Sequence, residues 1–310
     1  MRKLVWAMIG GLACVLPAVA NTSKVIGIDT LELGQHRADV INVLERLCDR
    51  IDPVSATPVQ FPLAAEKEEH IRCFGLNADN GVIEKSVFLM ADDTLAMIEL
   101  RGGAVDAFLN SRNESPMPYL HFSILDQGRL FADTAEDAVW LLSADSLHPN
   151  LFTWSNPFLE SVDSNGPQYE QSARLPGFLA FGASLDVLRP QFEVHCPTMN
   201  VEVSDTPWLP NQPSTQTQVN CFGLEYAGFP RKIEAVFGDG QLKLMWILTA
   251  KPEEGRVRKA LIEEFNQPEM TNDKWEVFDD GQIALRKDKP EILAISQDLV
   301  PHYIEDFTND

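Results

Sequence analysis

Val40, Leu44, Leu47 and Ile51 recur at steps of three and four, with Arg37, Glu45 and Arg46 on the other side, which predicts an amphipathic helix ending near Cys48. A second such pattern lies near Leu185, Leu188 and Phe192, with Ser184 as its N-cap; Pro190, which removes a helix hydrogen bond, predicts that this helix is short or kinked. Strands follow each helix. The first are expected at Pro58-Val59-Gln60-Phe61 and Val201-Glu202-Val203, the second in the segments ending at Cys73 and Cys221. Asp79-Asn80-Gly81 reads as a turn, residues 83–89 and 95–100 as a hairpin through Asp92-Asp93, and residues 233–237 and 242–248 as its counterpart through Gly238-Asp239-Gly240. Pro252, Glu253 and Glu254, then Val257, Leu261 and Phe265 on one face, predict another helix, matched by a shorter one at Val105, Phe108 and Leu109. Closing hairpins run through Asp126-Gln127-Gly128 and Asp279-Asp280-Gly281, and each half ends in an apolar strand, Ala138–Leu142 before Ser143 and Glu291–Ile295 before Ser296.

The order of elements repeats because the chain does. Cys73-Phe74-Gly75-Leu76 returns as Cys221-Phe222-Gly223-Leu224, and each is preceded 25 residues earlier by a second cysteine, Cys48 and Cys196. The offset of 148 between the cysteines becomes 153 at the last strands, so few residues of net insertion separate the copies. The fold class expected is α+β: two tandem homologous modules, each an antiparallel sheet with helices packed on one face. The first module spans 21–153 and the second 175–310, with a Ser-, Asn-, Pro- and Gln-rich linker at 154–174 centred on Gly166-Pro167. Phe152, Trp154 and Phe158 at its start read as core or clasp residues. A module duplicated as a unit should close its own loop, which pairs Cys48 with Cys73 and Cys196 with Cys221; chain entropy gives each bridge roughly 3.5 kcal/mol. A zinc site from His70, Cys73, His195 and Cys196 is the competing reading, set aside because the His-x-x-Cys spacing of the first copy has no counterpart in the second.

Compartment and charge narrow the function. Residues 1–20 carry Arg2 and Lys3, an apolar run and Ala18-Val19-Ala20, the pattern of a secretory signal peptide interrupted by Gly10, Gly11 and Pro17 and too short to span a bilayer. An acylated Cys14 is a minor alternative. The expected location is therefore periplasmic or secreted, with no membrane insertion after cleavage and no free thiol among the four remaining cysteines. Without the leader, 46 acidic side chains face 23 basic ones, spread evenly over both halves. Such a surface repels phosphate backbones and anionic lipid, so nucleic acid is not an expected partner; the acidity reads first as solubility or a salty habitat, with a basic protein or peptide partner or a cationic ligand as the alternative.

The chain has no G-x-S-x-G elbow, P-loop, H-E-x-x-H or dinucleotide fingerprint, and no cofactor is expected. His36, His70, His121, His148, His195 and His302 do not repeat between the copies and read as surface or strand-end residues. Asp92-Asp93 and Asp279-Asp280 are assigned to turns rather than to acid–base chemistry, and the Asp79-Asn80-Gly81 segment fails the calcium-loop pattern because Leu76 and Ala78 fall where oxygen ligands belong. No catalytic or metal residue is nominated.

Leu33-Gly34 and Phe181-Gly182, the amphipathic helix after each, and Phe237-x-Asp239-Gly240-x-Leu242 resemble a group of small exported α+β domains that includes the β-lactamase-inhibitor proteins and the small lipoprotein of the outer-membrane barrel assembly machine. The inhibitor proteins are also similar in having two tandem modules with a disulfide in each. The resemblance covers about the first 75 residues of each copy and carries over no binding residue. It implies an exported bacterial binding or inhibitory protein acting through protein or peptide association. The alternative is a hydrolase with its site in the inter-module cleft.

Overall fold

The computed structural model describes residues 31–78, 81–109, 114–160 and 166–308; the leader pattern at 1–20, Asp79-Asn80 and the middle of the linker lie outside them. The described chain is built around two eight-stranded, wholly antiparallel sheets. In the first module, helix α1 (Arg37–Leu47) leads into β1 (Cys48–Ala56), β2 (Glu68–Ala78), β3 (Gly81–Ala91) and β4 (Thr94–Arg101). The short α2 (Ala104–Phe108) then leads into β5 (Met117–Tyr119), β6 (Phe122–Leu125), β7 (Leu130–Asp133) and β8 (Ala138–Leu142), followed by α3 (Ala144–Leu147). The second module repeats the plan with α4 (Leu185–His195), β9 (Thr198–Ser204), β10 (Gln216–Tyr226), β11 (Phe229–Gly238), β12 (Gln241–Leu248), α5 (Glu254–Phe265), β13 (Met270–Thr271), β14 (Trp275–Phe278), β15 (Ile283–Arg286), β16 (Glu291–Ile295) and α6 (Val300–Thr308).

The sheet orders are β1-β2-β3-β4-β8-β7-β6-β5 and β9-β10-β11-β12-β16-β15-β14-β13, position for position the same. Each module is thus itself two helix-plus-four-strand meanders, which meet antiparallel at the β4–β8 or β12–β16 pair. Helices α1 and α2 pack on one face of the first sheet, and α4 and α5 on the corresponding face of the second. Val40, Leu44 and Phe108 join Ile71, Phe88 and Ile98 in the first, and Leu188, Phe192, Val257 and Leu261 join Val219, Ile233 and Ile292 in the second. Helix α6 lies on the opposite face of the second sheet, where Phe307 packs with Val236, Trp275 and Leu293.

The repeated tetrapeptide has a geometric reason. Cys73 and Leu76 both enter the helix-side core although they are three residues apart, so the strand must turn over between them. Gly75 does this at φ +64° and Gly223 at φ +90°, left-handed conformations that favour glycine. A side chain at Gly75 would also meet the Asp49 carboxylate, its Cβ lying 2.2 Å from Oδ2. The disulfides Cys48–Cys73 and Cys196–Cys221 tie the end of each first helix to this strand, with Cα separations of 5.6 and 5.3 Å. Cys73 and Cys196 are therefore committed to bridges and the zinc reading falls.

Three local expectations are corrected. Residues 58–61 form no strand; β1 starts at Cys48, immediately after the helix, and the later segment is an irregular loop whose Gln60 and Phe61 N–H groups donate to the Glu68 carboxylate at 2.7 and 2.8 Å. Pro190 does not shorten α4, which at 11 residues is as long as α1. Its ring is on the exposed side, and the carbonyl deprived of a donor belongs to Asp186 in the first turn, where water can replace it. His70 is fully buried rather than a surface residue.

Candidate functional site

The first module meets the second through the face of its sheet opposite α1 and α2, and the second contributes the β10–β11 end of its sheet and the start of α5. Phe61, Phe122, Phe131, Trp140, Phe152 and Trp154 of the first module and linker form one cluster with Phe222, Phe229 and Ala250 of the second. Phe229 lies 5.3 Å from Trp154 and 6.4 Å from Phe61 by ring centroids. Arg256 on α5 donates to the Ala64 and Phe61 carbonyls at 2.6 and 3.0 Å, and His148 meets the Pro290 carbonyl at 2.9 Å. Phe152 and Trp154 are therefore shared by both modules, while Phe158 covers Val54 and Ala56 of β1 and stacks on His70 at 4.0 Å.

Beneath Phe158 runs a chain of buried polar groups. The Asn156 amide donates to His70 Nδ1 at 2.8 Å, which leaves the proton on Nε2, where it donates to Glu68 Oε1 at 2.7 Å. The Asn156 backbone N–H donates to Glu99 Oε2 at 2.8 Å, and Arg101 donates to Glu99 Oε1 at 2.8 Å and to Ser155 Oγ at 2.7 Å. Burial opposes the charge on Glu68, but the His70 bond and the two loop N–H donors hold it below the usual carboxylate range. At Glu99 burial wins over Arg101 and the Asn156 donor, and its carboxyl is pushed up to about 7. A polar cavity of about 370 Å³ adjoins this chain, lined by Lys85, Glu99, Arg101, Ser155, Asn156 and Glu160 among others. Both Glu99 oxygens are taken by the chain itself, and the residue is 1% exposed. The arrangement braces segment 155–159 against the sheet.

The second module lacks this chain. The offset of 148 puts Gln216, Gln218 and Asn220 where the first has Glu68, His70 and Arg72, and along β12 the offset of 147 puts Trp246 at the place of Glu99. The loop-holding role alone persists: Gln216 Oε1 accepts from Trp208 and Leu209 N–H at 2.9 and 3.0 Å, as Glu68 does from Gln60 and Phe61. Laying one copy on the other residue by residue would have exposed this asymmetry in the sequence. Spacing alone did not.

The first strands differ in a second way. β1 is guarded at the sheet edge by Pro53, by Asp49, Arg50 and Asp52, and by Phe158 lying over Val54 and Ala56. β9, Thr-Met-Asn-Val-Glu-Val-Ser, has no proline and one charge, pairs on one side with β10, and stands at the end of its sheet. Val203 is 74% exposed, and Val194 on α4 and Trp208 after the strand are exposed as well. Glu202 projects from it, accepting from Asn200 and Asn220 at 2.8 and 3.0 Å. Between the start of α4 and Asp205 the sequence carries the carboxylates Asp186, Glu193, Glu202 and Asp205 and one guanidinium, Arg189.

The remaining sequence-derived residues are dispersed. Asp92 and Asp93 take left-handed backbone at the β3–β4 turn, and the Asp92 carboxylate caps the Ala65, Glu66 and Lys67 N–H groups at 2.8 to 2.9 Å. Asp239 does the same for Thr215 at 3.0 Å. Asp279 and Asp280 also occupy a left-handed turn. His36 caps α1, His121 faces Asp133 at 3.4 Å, His195 stacks on Phe178 and His302 is exposed. Among the described residues no group of His, Cys, Asp and Glu is placed to hold a metal ion, and no helix is long and apolar enough to cross a membrane. No family model, curated protein or solved structure matches the chain.

Proposed function

We propose that this is an exported binding or inhibitory protein that associates with a basic protein or peptide along the open edge of its second sheet. The observation that carries the reading is the contrast between the two copies of one strand. The first edge is closed by proline, charge and an overlying phenylalanine, while the second presents an unguarded, alternating strand in acidic surroundings. An extended segment can add to such an edge through main-chain hydrogen bonds, and Glu202 and its neighbours would select cationic side chains. The leader pattern at 1–20 and the two disulfides support export, since such bridges persist in oxidising compartments. The tandem plan also resembles the β-lactamase-inhibitor proteins, which supports inhibition as the use of that association.

The test is parallel capture from an envelope extract with the wild-type chain and with Val203→Lys, which adds an edge-guarding charge at an exposed position. A basic partner should be retained by the wild type at low ionic strength, released toward roughly 0.5 M salt, where the screening length is about 4 Å, and lost by the variant. Equal recovery by Val203→Lys would overturn the assignment to β9.

A further inference from the structure

A different cavity, of about 440 Å³, opens at the other end of the first sheet. Leu33, Leu63, Leu95 and Leu142 wall it, Pro252 of the second module closes part of it, and Asp145 stands among the residues at its polar side. The volume falls within the range of small-ligand sites, and the wall is chiefly apolar.

The second module shows what the same place holds when it is filled. Both central strands carry a bulge at the same point, between Leu89 and Met90 pairing in one module and Val236 and Phe237 in the other, which brings Ala96 into register with Lys243. The turn after the last strand is also shared: Ser146 N–H donates to the Ser143 carbonyl as Leu299 N–H does to that of Ser296, so Asp145 matches Asp298. In the second module the largely buried Lys243 side chain runs along the sheet, and its Nζ meets Asp298 at 2.9 Å. In the first, Ala96 supplies no such chain. The space remains as the cavity, and the Asp145 carboxylate has no ion pair among the described residues.

We infer that this cavity is a binding site for an aliphatic primary ammonium group, with its methylene stem among the four leucines and its charge at Asp145, in the manner of the Lys243–Asp298 pair. The ligand is a free alkylamine or the lysyl side chain of a peptide; the chemistry is common to both. Arg129 also lines the cavity, where the second module has Gln282, and has interactions of its own within the chain. If that guanidinium governed selection, the preferred ligand would be an anion, so the two assignments are separable. The site lies apart from β9 and does not depend on the docking proposed there.

The test follows the leucine methyl resonances of the full exported chain by NMR during titration with n-pentylamine, with Nα-acetyl-lysine-N-methylamide, with pentan-1-ol and with valerate. One of the two amines should shift the methyls of Leu33, Leu63, Leu95 and Leu142 saturably, the tighter one identifying the source, and the alcohol and the acid should bind about fivefold or more weakly. Asp145→Asn, at an exposed position where folding is not at issue, should weaken the amine by a similar factor. Ala96→Lys should abolish binding by filling the cavity from within. Unmoved methyls, valerate preferred over both amines, or amine affinity unchanged in Asp145→Asn would each overturn the inference.

Discussion

Glu99→Gln should separate the cost of a buried carboxyl from the value of its hydrogen bonds. The folded protein holds this group protonated up to about pH 7, against an ordinary value of 4.5, because burial outweighs Arg101 and the Asn156 N–H. For a carboxyl raised on folding, the stabilising contribution is complete below the unfolded value. It declines as pH rises, since the unfolded chain ionises first, and is gone once pH passes the folded value. The full difference corresponds to about 3 kcal/mol, of which about 2 kcal/mol is lost between pH 5.5 and 8.5. A glutamine does not ionise, so it keeps the shape without that slope. Urea unfolding at several pH values should show wild-type stability falling relative to Glu99→Gln by about 2 kcal/mol over this window, whatever constant offset the altered hydrogen bonds introduce. Parallel curves would refute the reasoning and mean that Arg101 holds Glu99 ionised throughout.

Phe229→Ala, which empties the inter-module cluster, should cost about 3–5 kcal/mol in the same unfolding measurement and loosen both modules together. Gly75→Ala should lower stability by about 1–2 kcal/mol from the left-handed backbone alone, and more if the Asp49 side chain cannot move aside; thermal unfolding that matches wild type would contradict this. His70→Phe leaves Glu68 without its buried donor and should raise the acid-side midpoint of unfolding. The depressed Glu68 carboxyl stabilises above its unfolded value, and that stabilisation is lost as pH falls through the folded one. Peptide mapping without reduction should join Cys48 to Cys73 and Cys196 to Cys221, and no peptide should link the modules.

Much of the architecture is legible in the sequence because it rests on local devices. Asp-Asp and Asp-Gly turns favour left-handed backbone by themselves, and β8 and β16 are fully buried strands, apolar throughout in β8 and from Ile292 to Ile295 in β16. β1 is obscure in the sequence for the opposite reason. Cys-Asp-Arg-Ile-Asp-Pro-Val-Ser-Ala mixes charge and proline because it is an edge, and edge protection erases the alternation by which strands are recognised. The register of β4 against β8, which joins two meanders into one sheet, is a non-local choice that no window of sequence reports. α6 is a different case: Val300, Tyr303 and Phe307 carry helical spacing and pack on the second sheet, so the signal was available in the residues themselves.

The candidate site was less legible because it resides in differences between the copies, whereas the repeat draws attention to what they share. Glu68, His70 and Glu99 look like scattered polar residues until Asn156, more than 50 positions beyond the last of them, is placed over the same sheet face. Their role follows from that placement. A buried, hydrogen-bonded chain is costly to assemble and has few alternative arrangements, so it fixes segment 155–159 in one position over β1 and β2. Fixing that segment holds Phe158 on Val54 and Ala56 and closes the first sheet's edge, while the second module, with Gln218 and Trp246 in place of His70 and Glu99, has no equivalent brace and leaves β9 open. The two edges thus share one topology and differ at a few positions on the same sheet face. If the brace is what closes the first edge, Asn156→Ala should raise amide exchange in β1 above that of wild type and leave β9 unchanged; equal exchange in β1 would detach the polar chain from edge protection.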